Sequence, residues 1–299
     1  MGTQYWWFYD VIVVAVALIC IFIGSKKGVM KSVFGFVGLI LAAIVALVVS
    51  DAISDTLSGK MVCESNAKKI AANFESDSFT TMYADYLEGL DYSLRIDVDK
   101  LGKAFDSVDD IDEAIVKYIS NINGYAPDEK EVLLEKVREG YAVVISDIVE
   151  RSLNKYAAET AAALLKNDSS GMKELIPLIR DSERVMPSAM YISENYVSPA
   201  YNVIGRLVSY LAVFIFAGLI FVFCINSFLG RSNTDVTSAV SHVMGGVFGI
   251  FSAVVVVFAI AAAVRLSAVL GNDEMLFFNN KVVENSYAFK YFYDFAMKL

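Results

Sequence analysis

Carboxylates are the side chains of this sequence whose spacing comes nearest to that of a metal or catalytic site. The densest run of them is "DSVDDIDE" at 106–113. Closely spaced acids bind Ca²⁺ in EF-hand loops, but such loops also need a glycine at their sharp turn and a distal glutamate. This run lacks both, and charge runs are typical of solvated helix surfaces. We therefore predict no metal site and interpret 106–113 as a solvated helix start.

Other reactive side chains are few and scattered. His242 is the single histidine and cannot form a His-rich metal site alone. Cys20, Cys63 and Cys224 form neither a CxxC pair nor a disulfide framework. The sequence has no GxSxG, HExxH or glycine-rich phosphate-binding motif. These features predict a protein that is not an enzyme and that binds no cofactor.

The segments that carry these residues are of two kinds. The chain has 299 residues, of which 56% are hydrophobic, whereas soluble domains have about 45–50%. The apolar residues concentrate in 5–50 and 203–270. Residues 51–204 carry 28 acidic and 16 basic side chains, so the overall net charge of −9 comes from the middle of the chain. An acidic surface repels phosphate groups, which argues against nucleic-acid binding.

Four apolar stretches have the roughly 20 residues that a membrane-spanning helix needs. They are Tyr5–Ile23, Val33–Ser50, Leu207–Leu229 and Val240–Val264. The first two are separated by Lys26, Lys27 and Lys31. One continuous helix over 9–50 would be about 60 Å long and would place the lysines near mid-bilayer, at about 2.5–3.5 kcal/mol each. We therefore predict a tight hairpin at the membrane surface.

The predicted fold is an all-α membrane protein with four transmembrane helices in two hairpins and an inserted acidic helical domain. The lysines of the first hairpin, at 24–32, and Arg231 in the second favour cytoplasmic loops. Both termini and the middle would then lie outside the cytoplasm, in a multi-pass protein of the plasma membrane. Lys60, Arg206 and Arg265 flank the opposite side and oppose this bias.

The middle of the chain has the periodicity of helices. One apolar stripe comprises Val108, Ile111, Ile115, Tyr118 and Ile122. A second helix is predicted to begin with Pro127 at its first position and to continue from Leu133 towards Ala163. Proline residues then favour short helices and turns over 171–198. Two arrangements remain open, a compact helical domain and an extended helical stalk.

Small residues recur every four positions in two of the apolar stretches. They are Gly38, Ala42, Ala46 and Ser50 in the second, and Ser241, Gly245, Gly249 and Ala253 in the fourth. This spacing places each set on one helix face, where two backbones can approach closely. It predicts helix packing, either within one bundle or between the subunits of a homo-oligomer. The central parts of the four stretches carry no charged side chain, which disfavours a coupled transporter but permits an uncharged channel.

The final segment is rich in aromatic residues. Phe289, Phe292 and Tyr293 share one face of a short helix. Two interpretations remain open, namely an amphipathic helix in the membrane interface and a helix docked on the central domain. The predicted organisation is a transmembrane hairpin at 1–50, a soluble domain at 51–202, a second hairpin at 203–270 and an amphipathic tail at 271–299.

Several short motifs resemble those of the colicin V production protein (CvpA) family. "YDVIVVAVALICIFIGSKKGVMKSVFGFVGLILA" is similar to the opening of that family, with Asp10, Gly24, Lys27 and Gly28 at its motif positions. "SHVMGGVFGIFSAV" resembles the stretch that opens the family's last span, with Gly245 and Gly249 as the matching glycines. "ENSYAFKYFYDF" resembles the tail of longer members.

This resemblance implies a multi-pass inner-membrane protein linked to toxin (colicin V) production or export, or to envelope homeostasis, without an enzymatic mechanism. We expect a scaffold or secretion accessory that meets the lipid bilayer through its spans and a partner protein through its acidic domain. The alternative is a small channel or transporter formed by packing of the glycine-rich spans.

Overall fold

The computed structural model describes residues 5–57, 59–74, 76–106, 110–181, 184–229, 238–271 and 275–299. All regular elements in these ranges are helices, and no strand occurs in them, which confirms the all-α prediction. In chain order they are α1 Trp7–Leu57, α2 Lys60–Ala72, α3 Ser76–Glu88, α4 Val98–Phe105, α5 Ile111–Asn123, α6 Lys130–Ser152, α7 Lys155–Leu165, α8 Ser169–Arg180, α9 Val185–Ile192, a π-helical turn Ser193–Val197, α10 Ser198–Leu229, α11 Ala239–Leu270, α12 Asn280–Glu284 and α13 Phe289–Ala296.

The chain divides into two compact units. The long-helix unit comprises Met1–Leu57 and Asn202–Leu299, and the inserted unit comprises Ser58–Tyr201. The first contains α1, most of α10, and α11 to α13. The second contains α2 to α9 and the π-helical turn. The inserted unit thus interrupts the sequence of the long-helix unit between α1 and α10.

Three helical segments are long and apolar enough to cross a membrane. They are Trp7–Thr56, Val185–Phe228 and Ala239–Leu270. This fits a membrane protein. The first segment contains most of two of the four apolar stretches identified in the sequence. Whether it is one straight helix or two segments therefore determines how many times it could cross a bilayer.

Helix α1 has a sharp break at Gly28. This residue has φ 73° and ψ 172°, a combination that glycine adopts without the steric cost of a Cβ atom. Gly28 lies within the segment 24–32 where the sequence predicted a turn. Ser32 Oγ donates to the carbonyl oxygen of Gly24 at 2.9 Å, although a straight helix would separate these residues by about 12 Å. The chain therefore reverses direction at Gly28.

Contacts with α11 show the same reversal. Before the break, Cys20 and Gly24 lie against Gly249 and Gly245 respectively, so this part of α1 is antiparallel to α11. After the break, the amide of Val29 lies 3.2 Å from the Ser241 hydroxyl, and the Phe36 ring packs against Phe248 and Phe251. The second part therefore runs parallel to α11. We call the two parts α1a (7–27) and α1b (29–57).

Helix α10 packs antiparallel to α1b. A Cβ atom at Gly38 would lie 3.2 Å from the Phe221 side chain, and Ser54 Oγ donates to the Asn202 carbonyl at 2.9 Å. The long-helix unit thus consists of four helical segments, with α1b and α11 running in one direction and α1a and α10 in the other, and α13 packs against them. Its buried core includes Tyr9, Ala42, Ala46, Leu207, Tyr210, Val257, Ala261, Val282, Phe289 and Tyr293.

The inserted unit has a core of its own. Its buried side chains come from α2 to α9 and include Ile70, Phe79, Tyr83, Leu101, Phe105, Ile115, Val137, Tyr141, Ile145, Leu175 and Ile192. Four of its helices begin with a side chain that accepts a hydrogen bond from the amide three residues later. These N-cap residues are Asp97, Asp110, Asn154 and Asp168. Such caps satisfy amides that lack a partner within the helix.

The acidic run at 106–113 is a helix start only in part. Asp110 caps α5 and accepts from the Glu113 amide at 3.2 Å, which confirms the prediction for this end of the run. Residues 107–109, and with them the predicted apolar contact of Val108, lie outside the described residues. Asp112 is buried rather than solvated, because it pairs with Arg138 and Tyr141.

The second predicted helix of the middle differs in both its start and its length. It begins at Lys130 rather than at Pro127, and Asp128 binds Lys136 instead of standing in the first turn. It also ends at Ser152, because Asn154 caps a new helix by accepting from the Ala157 amide at 2.9 Å. In α5, Ile119 takes the buried position, whereas the predicted Ile122 is 37% exposed.

Candidate functional site

Four glycines bring the backbones of α1 and α11 into direct contact. A Cβ atom at Gly24 would lie 2.3 Å from the carbonyl oxygen of Gly245, and a Cβ atom at Gly245 would lie 2.3 Å from that of Gly24 and 3.1 Å from the carbonyl carbon of Gly28. At Gly249 it would lie 2.4 Å from the Cys20 carbonyl oxygen. No side chain fits at these distances. We call Gly24, Gly28, Gly245 and Gly249 the glycine contact.

Polar groups of α11 meet backbone groups on either side of the Gly28 break. The amide of Val29 donates to Ser241 Oγ at 3.2 Å, and the carbonyl oxygen of Ser25 lies 2.7 Å from Nδ1 of His242. In a regular helix the amide of residue 29 and the carbonyl of residue 25 would bond to each other. Ser241 and His242 thus provide hydrogen-bond partners for two backbone groups whose helical hydrogen bond is lost at the break.

The lysines of the turn lie at the same end as the glycine contact. Lys27 is exposed, and Lys26 Nζ lies 4.4 Å from the centroid of the Phe22 ring. The structure brings Gly24 and Gly28 together with the glycines of α11, whereas the side chain of Lys27 points to the surface. Arg231 lies outside the described residues.

The small-residue faces identified in the sequence meet different neighbours within the chain. Gly38 packs against Phe221 and Ile225 of α10, and Ala42 and Ala46 of the same face are fully buried. On α11, Gly245 and Gly249 pack against α1a, Ser241 binds the turn, and Ala253 is buried. Both faces are therefore occupied by helices of the same chain.

At the opposite end of the long-helix unit, charged side chains hold the tail. Asp10, in the first turn of α1a, accepts hydrogen bonds from three consecutive amides at the start of α13. Its Oδ2 lies 2.9 Å from the Tyr287 amide, and its Oδ1 lies 2.8 Å and 3.2 Å from those of Ala288 and Phe289. Asp10 thus acts as the N-terminal cap of α13, supplied by a distant helix.

The other end of α13 is bound by arginines. Arg265 of α11, which is 7% exposed, donates to the carbonyl oxygen of Ala296. Arg206 of α10 donates to the carbonyl oxygen of Leu299 at 2.8 Å and forms an ion pair with Asp51 of α1b at 2.7 Å. Each of the four helical segments therefore contributes one charged side chain to this arrangement.

We call Asp10, Asp51, Arg206 and Arg265 the tail clamp. A helix carries partial positive charge at its N-terminus and partial negative charge at its C-terminus. A carboxylate at the first end and guanidinium groups at the last therefore both stabilise α13. From the sequence, Asp10 was predicted only as a family-motif residue, and Arg206 and Arg265 only as residues that flank the predicted spans. The available signal was Arg265 itself, since a charge within a helix as apolar as α11 needs a specific partner.

The aromatic face of the tail contacts neither of the two surroundings that the sequence suggested for it. Phe289 stacks on Tyr9 at 4.7 Å between ring centroids, and Phe292 packs edge-on against Phe258 of α11 at 4.9 Å. Tyr293 is 4% exposed. The face predicted to enter the membrane interface or to dock on the central domain is thus buried against α1a and α11.

The inserted unit contains a buried polar cluster. Arg138 Nε lies 3.0 Å from Asp112 Oδ2, and the Tyr141 hydroxyl donates to Asp112 Oδ1 at 3.1 Å. Burial raises the pKa of Tyr141 and of the adjacent Tyr83 well above the ordinary tyrosine value. These tyrosines therefore stay protonated and serve as hydrogen-bond donors. Among the described residues, no three His, Cys, Asp or Glu side chains are grouped to hold a metal ion.

A surface cleft of about 390 Å³ lies beside this cluster. Its lining residues are Glu131, Leu134, Glu135, Arg138, Glu139, Lys166 and Asn167. Lys166 Nζ lies 2.8 Å from Glu139, and Arg138 pairs with Asp112. The carboxylates of Glu131 and Glu135 are exposed, so the cleft presents negative charge to solvent.

Searches of protein-family models, of curated proteins and of solved structures return no match to this chain.

Proposed function

We propose that the chain is a multi-pass membrane protein that crosses the bilayer four times, through α1a, α1b, α10 and α11. The reversal at Gly28 supports this proposal, because it divides one helix of 51 residues into two antiparallel segments. The lengths between charged side chains support it as well. At about 1.5 Å per residue, Lys27 and Asp10 are about 26 Å apart along α1a, and Lys31 and Asp51 are about 30 Å apart along α1b. The hydrocarbon core of a bilayer is about 30 Å thick.

The proposed orientation places the lysines of the Gly28 turn in the cytoplasm and the inserted unit outside it, in the plasma membrane. It follows from the preference of Lys-rich and Arg-rich short loops for the cytoplasmic side. The test uses two single-cysteine variants of the full chain, Lys27→Cys and Tyr125→Cys, with Cys20, Cys63 and Cys224 replaced by alanine. A membrane-impermeant maleimide applied to intact cells should label residue 125 and leave residue 27 unlabelled until the cells are opened. Labelling of both positions in intact cells would contradict the four-span arrangement.

We further propose that the protein acts without catalysis, as a scaffold or secretion accessory of the CvpA type, in toxin (colicin V) production or envelope homeostasis. The single observation that carries this proposal is the division of the chain into a unit of long apolar helices and a separately packed acidic unit. The inserted unit has 26 acidic and 16 basic residues, whereas the remainder has 8 and 9. A surface of this charge attracts a basic partner protein.

The acidic cleft beside α6 is the proposed docking position for that partner. The experiment places a photo-crosslinking amino acid at Glu135, in the cleft, and at Glu150, an exposed carboxylate further along the same helix, in native membranes. Position 135 should yield one abundant crosslinked protein that position 150 does not. Crosslinks between copies of this chain alone would contradict the scaffold and favour a pore-like oligomer. Release of the protein from membranes by alkaline carbonate would contradict membrane insertion itself.

A further inference from the structure

Helix α13 has a second face that the tail clamp leaves uncovered. Its inner face comprises Phe289, Tyr293 and Ala296, which are buried against the long helices. On its outer side, Tyr291 is 68% exposed and Phe295 is 40% exposed, with the Phe295 ring also edge-on to Phe258 at 4.8 Å between centroids. Tyr287, two residues before the helix begins, is 71% exposed. Residues four positions apart lie above one another on a helix. Tyr291 and Phe295 therefore share one aromatic face of α13, and together with Tyr287, which precedes the helix, we call them the outer stripe.

The position of α13 along the long helices can be measured from the Gly28 turn. Ser241 binds the turn, and α13 contacts Phe258 through Phe292 and Arg265 through Ala296. At about 1.5 Å per residue, Phe258 and Arg265 lie about 26 and 36 Å from Ser241 along α11. These distances bracket the roughly 30 Å of a hydrocarbon core. If the turn lies at one membrane surface, α13 lies at the other.

The chemistry of the outer stripe suits that depth. Tyrosine rings combine an apolar body with a polar hydroxyl, and tyrosine and tryptophan are enriched where acyl chains meet headgroups. Trp6 packs edge-on against Tyr287 at 4.9 Å between ring centroids, and the neighbouring Trp7 is 49% exposed. Lys290 Nζ lies 5.4 Å from the centroid of the Tyr291 ring, on a stem long enough to reach the headgroups.

We infer that the outer stripe of α13 lies in the headgroup boundary of the bilayer and contacts phospholipid, so that α13 is an interfacial anchor held rigidly by the tail clamp. The apolar surface next to it leads into the bilayer, since Val11, Val14 and Leu18 of α1a are each more than half exposed. A lipid surface is therefore continuous with the stripe. This inference rests on the proposed membrane insertion. The face that it places at the interface is opposite to the one formed by Phe289, Phe292 and Tyr293, for which the sequence left the interface and the central domain open.

The test measures the depth of a fluorophore on the outer stripe. Single-cysteine variants Tyr291→Cys and Tyr287→Cys of the full chain, with the native cysteines replaced by alanine, are labelled with bimane. They are then reconstituted in vesicles of phosphatidylcholine and phosphatidylglycerol. The matched control is Tyr125→Cys, because Tyr125 of the inserted unit has the same 68% exposure as Tyr291. Leu18→Cys serves as a reference for insertion.

We expect lipids with a nitroxide near the headgroup to quench the labels at 287 and 291, and aqueous iodide to quench them several-fold less than the label at 125. Iodide quenching at 287 and 291 equal to that at 125 would overturn the inference. So would protection from both quenchers, since the stripe would then be covered by protein. A label at Leu18 that deep nitroxide lipids quench, beside stripe labels that no lipid quenches, would leave membrane insertion standing and reject the interfacial anchor alone. Absence of lipid quenching at Leu18 would instead reject membrane insertion.

Discussion

The two ends of the long-helix unit hold the same helices together by opposite means. At the Gly28 turn, the helices touch because side chains are absent, and backbone meets backbone at the glycine contact. At the other end, the helices are joined because charged side chains are present. Asp10, Arg206 and Arg265 bind the tail, and Asp51 binds Arg206. In lipid, burial of apolar surface does not drive helices together. Close packing and polar bonds remain available, and each end relies on one of them.

The inserted unit offers a useful contrast. Its helices bury leucine, isoleucine, phenylalanine and tyrosine side chains in one core, as water-soluble domains do. Its charged side chains are mostly at the surface, where pairs such as Lys166 with Glu139 contribute little. Charged side chains thus contribute differently to the stability of the two units. A buried arginine is structural in the long-helix unit, whereas exposed lysines of the inserted unit chiefly determine its charge.

The largest effect is expected at the glycine contact. Gly245→Ala places a Cβ atom 2.3 Å from a carbonyl oxygen, and backbone cannot turn aside as a side chain can. We expect a loss of about 3 kcal/mol or more in the free energy of unfolding, at or above the upper range for overpacked sites. Thermal unfolding in detergent measures it. Gly35→Ala is the control, because a Cβ atom there meets nothing within 4 Å. Equal stability of the two variants would contradict the contact.

A smaller loss is expected at the buried arginine of the tail clamp. Arg265→Met keeps much of the apolar stem but removes the hydrogen bond to the Ala296 carbonyl. Hydrogen bonds that involve a charged group contribute about 1.5–3 kcal/mol. The tail should therefore detach more often, and limited proteolysis should cut within 285–299 faster than in the wild type. Lys281→Met, at an exposed lysine of α12, serves as the control. An unchanged cleavage rate in Arg265→Met would show that the arginine does not hold the tail.

The cap at the other end of α13 should contribute less. Asp10→Asn keeps an oxygen acceptor but removes the negative charge at the N-terminus of the helix. The expected loss is about 0.3–1 kcal/mol, the usual size of such a charge–dipole interaction. Hydrogen exchange of the amides of residues 287–289 measures it directly, because these amides donate to Asp10. Asp10→Ala should accelerate their exchange further, since a missing N-cap acceptor costs about 0.5–2 kcal/mol. The same exchange rate in all three proteins would rule out the cap.

The smallest effect is expected in the inserted unit and depends on pH. The hydrogen bond from Lys136 lowers the pKa of Asp128 below its ordinary value, and the Glu113 amide does the same for Asp110. A carboxyl with a lowered pKa in the folded state stabilises the fold above its unfolded-state pKa of about 3.9 and loses this contribution as pH falls through the folded-state value. The protection factors of amides in α5 and α6, which are exchange rates corrected for the intrinsic rate at each pH, should therefore fall on acidification below about pH 4. Asp128→Asn should reduce this dependence, and an identical pH profile in the variant would contradict the assignment.

Much of the local structure was predictable because it depends on neighbouring residues. The break at Gly28 follows from three lysines and two glycines in a short polar segment between two apolar stretches, and the capped start of α5 follows from Asp110 and Glu113. The early end of α6 was missed, because the cap at Asn154 competes with an apolar period that continues past it. The helix start at Lys130 was missed because Asp128 binds a side chain of the same helix rather than its amides.

What the sequence alone determined is the division between apolar helices and an acidic helical insertion, together with the glycine positions at which close packing is possible. Composition and periodicity express these features directly, since each depends on residues near one another in the chain. The tertiary structure alone decided the partners. Gly245 meets Gly24, Asp10 meets the start of α13, and Arg265 meets its end. The first two pairs join residues separated by most of the chain, and the third joins residues 31 positions apart on different helices. A pattern along one helix does not show which helix packs against it.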